Sequence, residues 1–294
     1  MKILKSIIST VIILILFICI VGCNKNNYST YIVDVANDEI SGDIDISNTQ
    51  WSEGYFERNA TECYAVIFDE NEYSGFYQKS LVNKCNSFIT DIYKNDDGIE
   101  FGIRSDDNSL VHINFMNKSF FDTEPYLPEI DNARENAVNY AKNIASKYVN
   151  INEYEMIEDE PITRYKEKDG KKYEITYYNV MFSRKINGIN TSDYISIKIT
   201  SKGHLASLIM GDINAFKDVI SPYNASLVDA SITDTVKNTY SKLQYQMYDV
   251  EVESQILAIT PAGKLVLYSQ LGVDIVDEYN YHHSTAIAVI TELD

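Results

Sequence analysis

Beyond residue 130 the apolar positions switch between two periods, and each switch predicts a change of element. Ala133, Ala137, Ala141 and Ala145 fall every four residues, and Tyr140, Ile144 and Tyr148 extend the same face. That spacing is helical, in the residue type with the highest helix propensity. A stripe of small side chains lets such a helix lie close to a sheet. Asp131 or Asn132 can cap its start, Glu135 suits the first turn, and Pro128 bars an earlier start. The period then becomes two. Tyr173, Ile175 and Tyr177 alternate with Glu174, Thr176 and Tyr178, as in a strand with two usable faces. Asp169-Gly170 predicts a hairpin turn before this strand and Asn187-Gly188 one after it. Residues 194–199 make the next strand, Gly203 a third turn, and residues 205–210 a further strand.

From Asn224 the order repeats. Val228, Ile232, Val236, Tyr240, Leu243 and Met247 stand three or four apart, as on a second amphipathic helix. Residues 250–260 read as a strand, Pro261-Ala262-Gly263 as its turn, residues 264–276 as the return and 284–293 as a closing strand. Ahead of both units, residues 51–121 read mostly as strand. Asp106-Asp107-Asn108-Ser109 is a hairpin turn between residues 99–104 and 110–116, and residues 71–75 are a loop. Leu81, Cys85, Phe88, Ile89 and Ile92 fit a helix, whereas residues 88–93 alone fit a strand; the strand is preferred for that second half. The expected fold class is therefore α+β. Tandem helix-plus-antiparallel-sheet units, residues 129–220 and 221–294, follow a mostly-β region at 51–128.

The first fifty residues read as an address. Lys2 and Lys5 precede an apolar run at residues 7–21 that suits the hydrophobic part of a signal peptide better than a spanning helix of about 20 apolar residues. The run ends in Ile20-Val21-Gly22-Cys23, which resembles a bacterial lipoprotein signal. That resemblance implies cleavage between Gly22 and Cys23 and acylation of Cys23, hence a lipid anchor on the extracytoplasmic face of the cell membrane. An uncleaved membrane anchor is the alternative. Residues 23–50 are polar and aperiodic, as in a flexible tether.

Charge and cysteines sharpen this address. The net charge of −18 becomes −20 once Lys2 and Lys5 leave with the signal, which excludes nucleic acid and anionic lipid headgroups as natural partners. Cys19 leaves too. Of the remainder, Cys63 and Cys85 both lie in the mostly-β region. An oxidising compartment permits a disulfide between them, worth about 3 kcal/mol for a loop of this size. Their spacing does not fit a metal or redox motif.

The alanine stripe, the aromatic strand at residues 177–182, Asn187-Gly188, the strand at 194–199 and Gly203 together resemble PepSY domains. In the second copy the matching positions are Gly263-Lys264 and residues 265–273. These small modules occur in peptidase propeptides and in YpeB- or YcdB-like envelope proteins. Where their usual Asp-x-x-Thr-Gly turn would stand, this chain has Ser201-Lys202-Gly203 and Pro261-Ala262-Gly263. The resemblance implies a non-catalytic module that binds or regulates a peptidase or another envelope protein.

The residues themselves name no reaction. There is no zinc-protease helix motif, nucleophile elbow, phosphate-binding loop or dinucleotide fingerprint, so no cofactor, metal or catalytic residue is assigned. His112 reads as a structural strand residue and His204 as a solvated one. His282 and His283 are neighbours on a strand and point to opposite faces. Carboxylates cluster at Glu155, Glu158, Asp159 and Glu160, and again at Asp274, Asp277 and Glu278. Solvated acidic faces are one reading of them; paired carboxylates of a cell-envelope hydrolase are the other. The leading expectation is a lipid-anchored binding protein that pairs a partner along residues 173–182 or 265–273.

Overall fold

A computed structural model describes residues 30–31, 54–82, 86–158, 160–168, 170–219, 225–240, 246–260, 262–276, 279 and 281–293. Gly22, Cys23 and Cys85 lie outside these residues. The elements begin with β1 (Thr30–Tyr31), β2 (Gly54–Phe56), β3 (Cys63–Phe68), β4 (Asn71–Val82), β5 (Ile89–Lys94), β6 (Glu100–Arg104) and β7 (Leu110–Asn114). Helix α1 (Lys118–Thr123), a 3-10 turn (Glu124–Tyr126) and helix α2 (Ala133–Ala145) follow. Then come β8 (Glu155–Glu158), β9 (Ile162–Lys168), β10 (Lys171–Ile186), β11 (Ile189–Thr200) and β12 (Leu205–Met210). Helix α3 (Ala225–Tyr240) precedes β13 (Gln246–Ile259), β14 (Leu265–Val276) and β15 (His282–Glu292).

The expected tandem α+β architecture is corrected. Among the described residues 53% lie in strands and 18% in helices, and the strands form one mixed sheet. Its path runs β15-β14-β13-β11-β12-β7-β6-β5-β4-β2, with β3 also on β4 and β10 on the second side of β11. The physical reason is cross-unit pairing. β12 continues antiparallel onto β7, with Leu208 opposite Ile113. Near the start of β11, Asn190 and Thr191 run parallel to Ile256 and Leu257 of β13. A helix with its own sheet needs no such neighbours, and local periodicity cannot report them.

Both predicted helices exist and lay apolar stripes on the sheet, but the second ends at Tyr240, and Met247, expected on it, belongs to β13, while Leu243 lies outside the described residues. Ala137, Ala141, Ile144 and Ala145 of α2 are buried against Phe101, Ile113, Phe182, Ile195, Ile197 and Leu208. The small alanines permit close approach, and the larger residues fill the space between. The start of α2 is not capped as expected: Asn132 takes a left-handed conformation at φ 52° and its side chain makes no capping hydrogen bond. Val228, Ile232 and Val236 of α3 are fully buried on Val250, Leu257, Leu267, Leu271 and Val289.

Turn chemistry explains much of the register. Asn187 and Gly188 stand at φ 51° and 82° between the paired residues Ile186 and Ile189, the left-handed conformations a two-residue hairpin needs. Residues 71–75, expected as a loop, are instead the start of β4. Asp69 and Glu70, at φ 48° and 68°, form the turn before it without any glycine.

His112 lies on β7 opposite Gly102 of β6. Burial pushes its pKa down, against a weaker upward pull from Glu100. The folded state therefore holds fewer protons at this ring than the unfolded chain between the lowered value and the ordinary 6.5. Stability from this group is complete above that window and is lost as pH falls through it, by at most about 1.4 kcal/mol per pH unit. Urea midpoints at pH 7 and pH 5 are expected to differ more in the natural chain than in His112→Gln.

Candidate docking edge and buried acid clusters

A sheet offers partners its unpaired edges, so the flanks of each strand decide where binding can occur. The two strands singled out from the sequence are not edges. β10 is flanked by β11 on one side and by β9 and β8 on the other. β14 lies between β13 and β15. Neither has a free ladder to offer, and that expectation is corrected.

The edges lie elsewhere and differ in character. β9 pairs only with β10 among the described strands and carries Arg164, Lys166 and Glu167, charges that discourage strand addition. β15 ends the opposite flank with helix α3 packed against it. β3 is different. Its sequence, CYAVIF, has no charge and no proline, and among the described strands it pairs with β4 alone.

Register fixes which backbone groups of β3 face outward. Phe68 and Asn71 flank the two-residue turn and form a hydrogen-bonded pair, so bonded pairs alternate from there: Phe68, Val66 and Tyr64. The hydrogen bond from Tyr77 N to Glu62 O, at 2.9 Å, continues that alternation. Cys63, Ala65 and Ile67 therefore turn their N–H and C=O groups away from β4. Their side chains are exposed, Ile67 to 77%, and Phe76 opposite Cys63 to 54%. Val66 and Phe68 point the other way into the core. The edge is held in place from behind. Arg58 grips the buried Asp91 with both ends of its guanidinium fork, Nε at 2.8 Å from Oδ1 and Nη2 on Oδ2. Ser80 donates to the same Oδ1 at 2.6 Å.

Cys63, at the head of β3, has a free, exposed thiol. The bridge expected from it involves Cys85, which lies outside the described residues.

Besides Asp91, three further buried carboxylates among the described residues were not singled out in the sequence. Glu124, 3% exposed, accepts a hydrogen bond from Thr200 Oγ1 on one oxygen and faces His204 Nδ1 at 2.8 Å with the other. The His204 side chain is 55% exposed, so this ring is solvated on one side and anchored on the other. Thr200 Oγ1 also accepts from Lys202 N and His204 N, both at 3.2 Å. The group thus ties the β11–β12 turn to the 3-10 turn. Tyr177, opposite Thr200 on β10, is buried with no hydrogen-bond partner for its hydroxyl, and burial pushes its pKa up to about 12. An oriented imidazole beside a carboxylate could serve a nucleophile, but the one hydroxyl in contact, Thr200, donates to the acid itself. Asp193 and Asp212 are the other two, both fully buried and both saturated by neighbours.

The clustered surface acids do not converge. Glu158 pairs with Arg134 at 3.0 Å and Glu155 with Lys185 at 2.8 Å, while Asp159 lies outside the described residues. Asp274 accepts from Ser284 on the outer face of β14, and Asp277 and Glu278 are not described. His282 and His283 are exposed at the start of β15. No group of three metal-ligating side chains occurs among the described residues. Nor is any described helix long and apolar enough to cross a membrane. Comparison of the chain with family models, with curated proteins and with solved structures found no match.

Proposed function

We propose that this chain is a lipid-anchored protein of the cell envelope that binds an extended segment of another protein along β3, without catalysing a reaction. The single observation that carries the binding reading is the uncharged edge at Cys63, Ala65 and Ile67, whose outward backbone groups match the ladder of an added strand. The address rests on the Ile20-Val21-Gly22-Cys23 signal. A tethered module of this kind meets envelope proteins, a peptidase among them, at the membrane surface.

The test uses the full chain in detergent micelles and the peptide acetyl-Thr-Val-Thr-Val-Thr-amide. Peptide addition is expected to slow amide exchange at Cys63, Ala65 and Ile67 while leaving β9 unchanged. Ala65→Pro removes an outward N–H that β4 does not use and is expected to abolish the effect with the fold intact. Unchanged exchange at millimolar peptide would rule the reading out. Separately, Cys23→Ala is expected to move the chain from the membrane to the soluble fraction.

A further inference from the structure

We infer that the segment β3 accepts is an extended peptide with an alternating apolar centre and basic residues at both ends; this deepens the docking reading above and rests on it. The argument is charge placement. The uncharged run Cys63–Phe68 is bracketed by acids: Glu62 before it, Asp69 and Glu70 in the turn after it, and Glu72 opposite Ile67 on β4. All four are exposed. Lys147 neutralises only Asp69, with its Nζ at 2.7 Å from the carboxylate. Of the other cations near by, Arg58 is committed to Asp91 and Lys79 to the ring of Tyr55 at 3.5 Å, while Lys94, opposite Phe76 on β5, stands two strands away from β3. Glu62, Glu70 and Glu72 therefore set a negative potential at the two ends of an apolar strand.

An incoming strand reads this edge in two ways. Its backbone meets the three N–H and three C=O groups of Cys63, Ala65 and Ile67. On the exposed face, alternate side chains lie beside Cys63, Ala65 and Ile67 and want apolar partners. An added strand of five residues spans about 17 Å, so residues just beyond its apolar centre fall beside Glu62 at one end and the turn residue Glu70 at the other, with Glu72 one strand further away on β4. Opposite charge at those positions is favoured and like charge is penalised.

The same placement argues against a second copy of this chain. Two β3 strands paired antiparallel about a two-fold axis centred on Ala65 would set Glu62 of each copy near Asp69 and Glu70 of the other. The overall charge of −18 adds to that repulsion.

The experiment titrates the full chain in detergent micelles with acetyl-Lys-Val-Thr-Val-Thr-Val-Lys-amide and with its Glu-flanked counterpart, by calorimetry and amide exchange. The Lys-flanked peptide is expected to bind at least tenfold tighter, with affinity falling as salt rises from 50 to about 300 mM. The triple variant Glu62→Lys, Glu70→Lys, Glu72→Lys is expected to reverse the preference; its substitutions are all at exposed positions, and circular dichroism checks its fold. Equal binding of both peptides, lost in Ala65→Pro, would keep β3 as a docking edge and overturn the charge selectivity. Binding of neither overturns both readings. Concentration-dependent dimers abolished by Ala65→Pro would make a second copy the occupant. Slow exchange at Cys63, Ala65 and Ile67 before peptide is added would mean that the chain covers this edge itself. Either of these last two results overturns the inference.

Discussion

Replacing Arg184 by alanine is expected to cost about 3–5 kcal/mol of stability, the loss typical when a buried ion pair is left with one partner. Arg184 sits at an irregularity of β10, where the register with β11 shifts between Ser183 and Lys185. Its Nε donates to Asp193 Oδ2 at 2.9 Å and its Nη2 to Glu153 Oε2 at 2.8 Å. The Asp193 side chain is wholly buried, the Glu153 side chain 36% exposed. Tyr154 donates its hydroxyl to Asp193 Oδ1 at 2.5 Å, and its ring lies 4.9 Å from the guanidinium carbon. Burial pulls the Arg184 pKa down, and the hydrogen bonds to Glu153 and Asp193 more than restore it, so the guanidinium stays charged. Burial also pushes Tyr154 up, so its hydroxyl stays protonated and donates. Without Arg184, one tyrosine hydroxyl is left to stabilise an unsolvated carboxylate.

Two controls separate that cause from lost packing. Glu153→Gln removes only the charge of the exposed arm, and it should lower the urea midpoint far less than Arg184→Ala does. Adding Asp193→Asn to Arg184→Ala neutralises the stranded acid and should recover part of the loss. Urea midpoints of the three variants provide the measurement. A fall of less than 1 kcal/mol in Arg184→Ala, or no recovery in the double variant, would show that the buried charge is not what this cluster balances.

What the sequence made legible was local. The alanine stripe of α2, the spacing of Val228, Ile232 and Val236 in α3, and the Asn187-Gly188 turn each depend on residues a few positions apart, and each is found in place. Asp69-Glu70 was illegible because its turn uses left-handed conformations in residues that seldom adopt them. The architecture was illegible for a different reason. Periodicity tells which face of β10 or β14 is apolar but not which strands flank it, and the joins of β12 to β7 and β11 to β13 link residues 95 and 66 positions apart. The docking edge inherits that blindness: a strand is an edge only by virtue of what fails to pair with it. The acids bracketing β3 were visible as letters and acquired meaning once Cys63, Ala65 and Ile67 were known to face outward.

Gly211→Ala is expected to destabilise the chain by about 3 kcal/mol through overlap with backbone, at the upper end of the usual cost of overpacking. A methyl group at this position would stand 1.9 Å from the carbonyl oxygen of Ser192 and 2.8 Å from the ring of Tyr194. The oxygen cannot simply retreat, because it accepts from Asp212 N at 2.7 Å, while Gly211 N donates to Tyr194 O at 2.9 Å. Moving either strand also moves Asp212, whose carboxylate accepts from Ser192 Oγ at 2.8 Å, from Ser87 N at 3.1 Å and from Ser87 Oγ. Burial pushes the Asp212 carboxyl up, and the Ser87 and Ser192 hydrogen bonds pull it down. Loosening them therefore exposes the full desolvation cost and frees the segment leading into β5. Gly188 is the contrast: its φ is 82°, and a methyl group there would meet nothing within 4 Å. Gly188→Ala should cost only the conformational strain of a left-handed residue, about 1–2 kcal/mol. Thermal and urea unfolding of the two variants distinguish the causes. If Gly188→Ala proves as damaging as Gly211→Ala, the close approach of β12 to β11 is not what requires glycine at position 211.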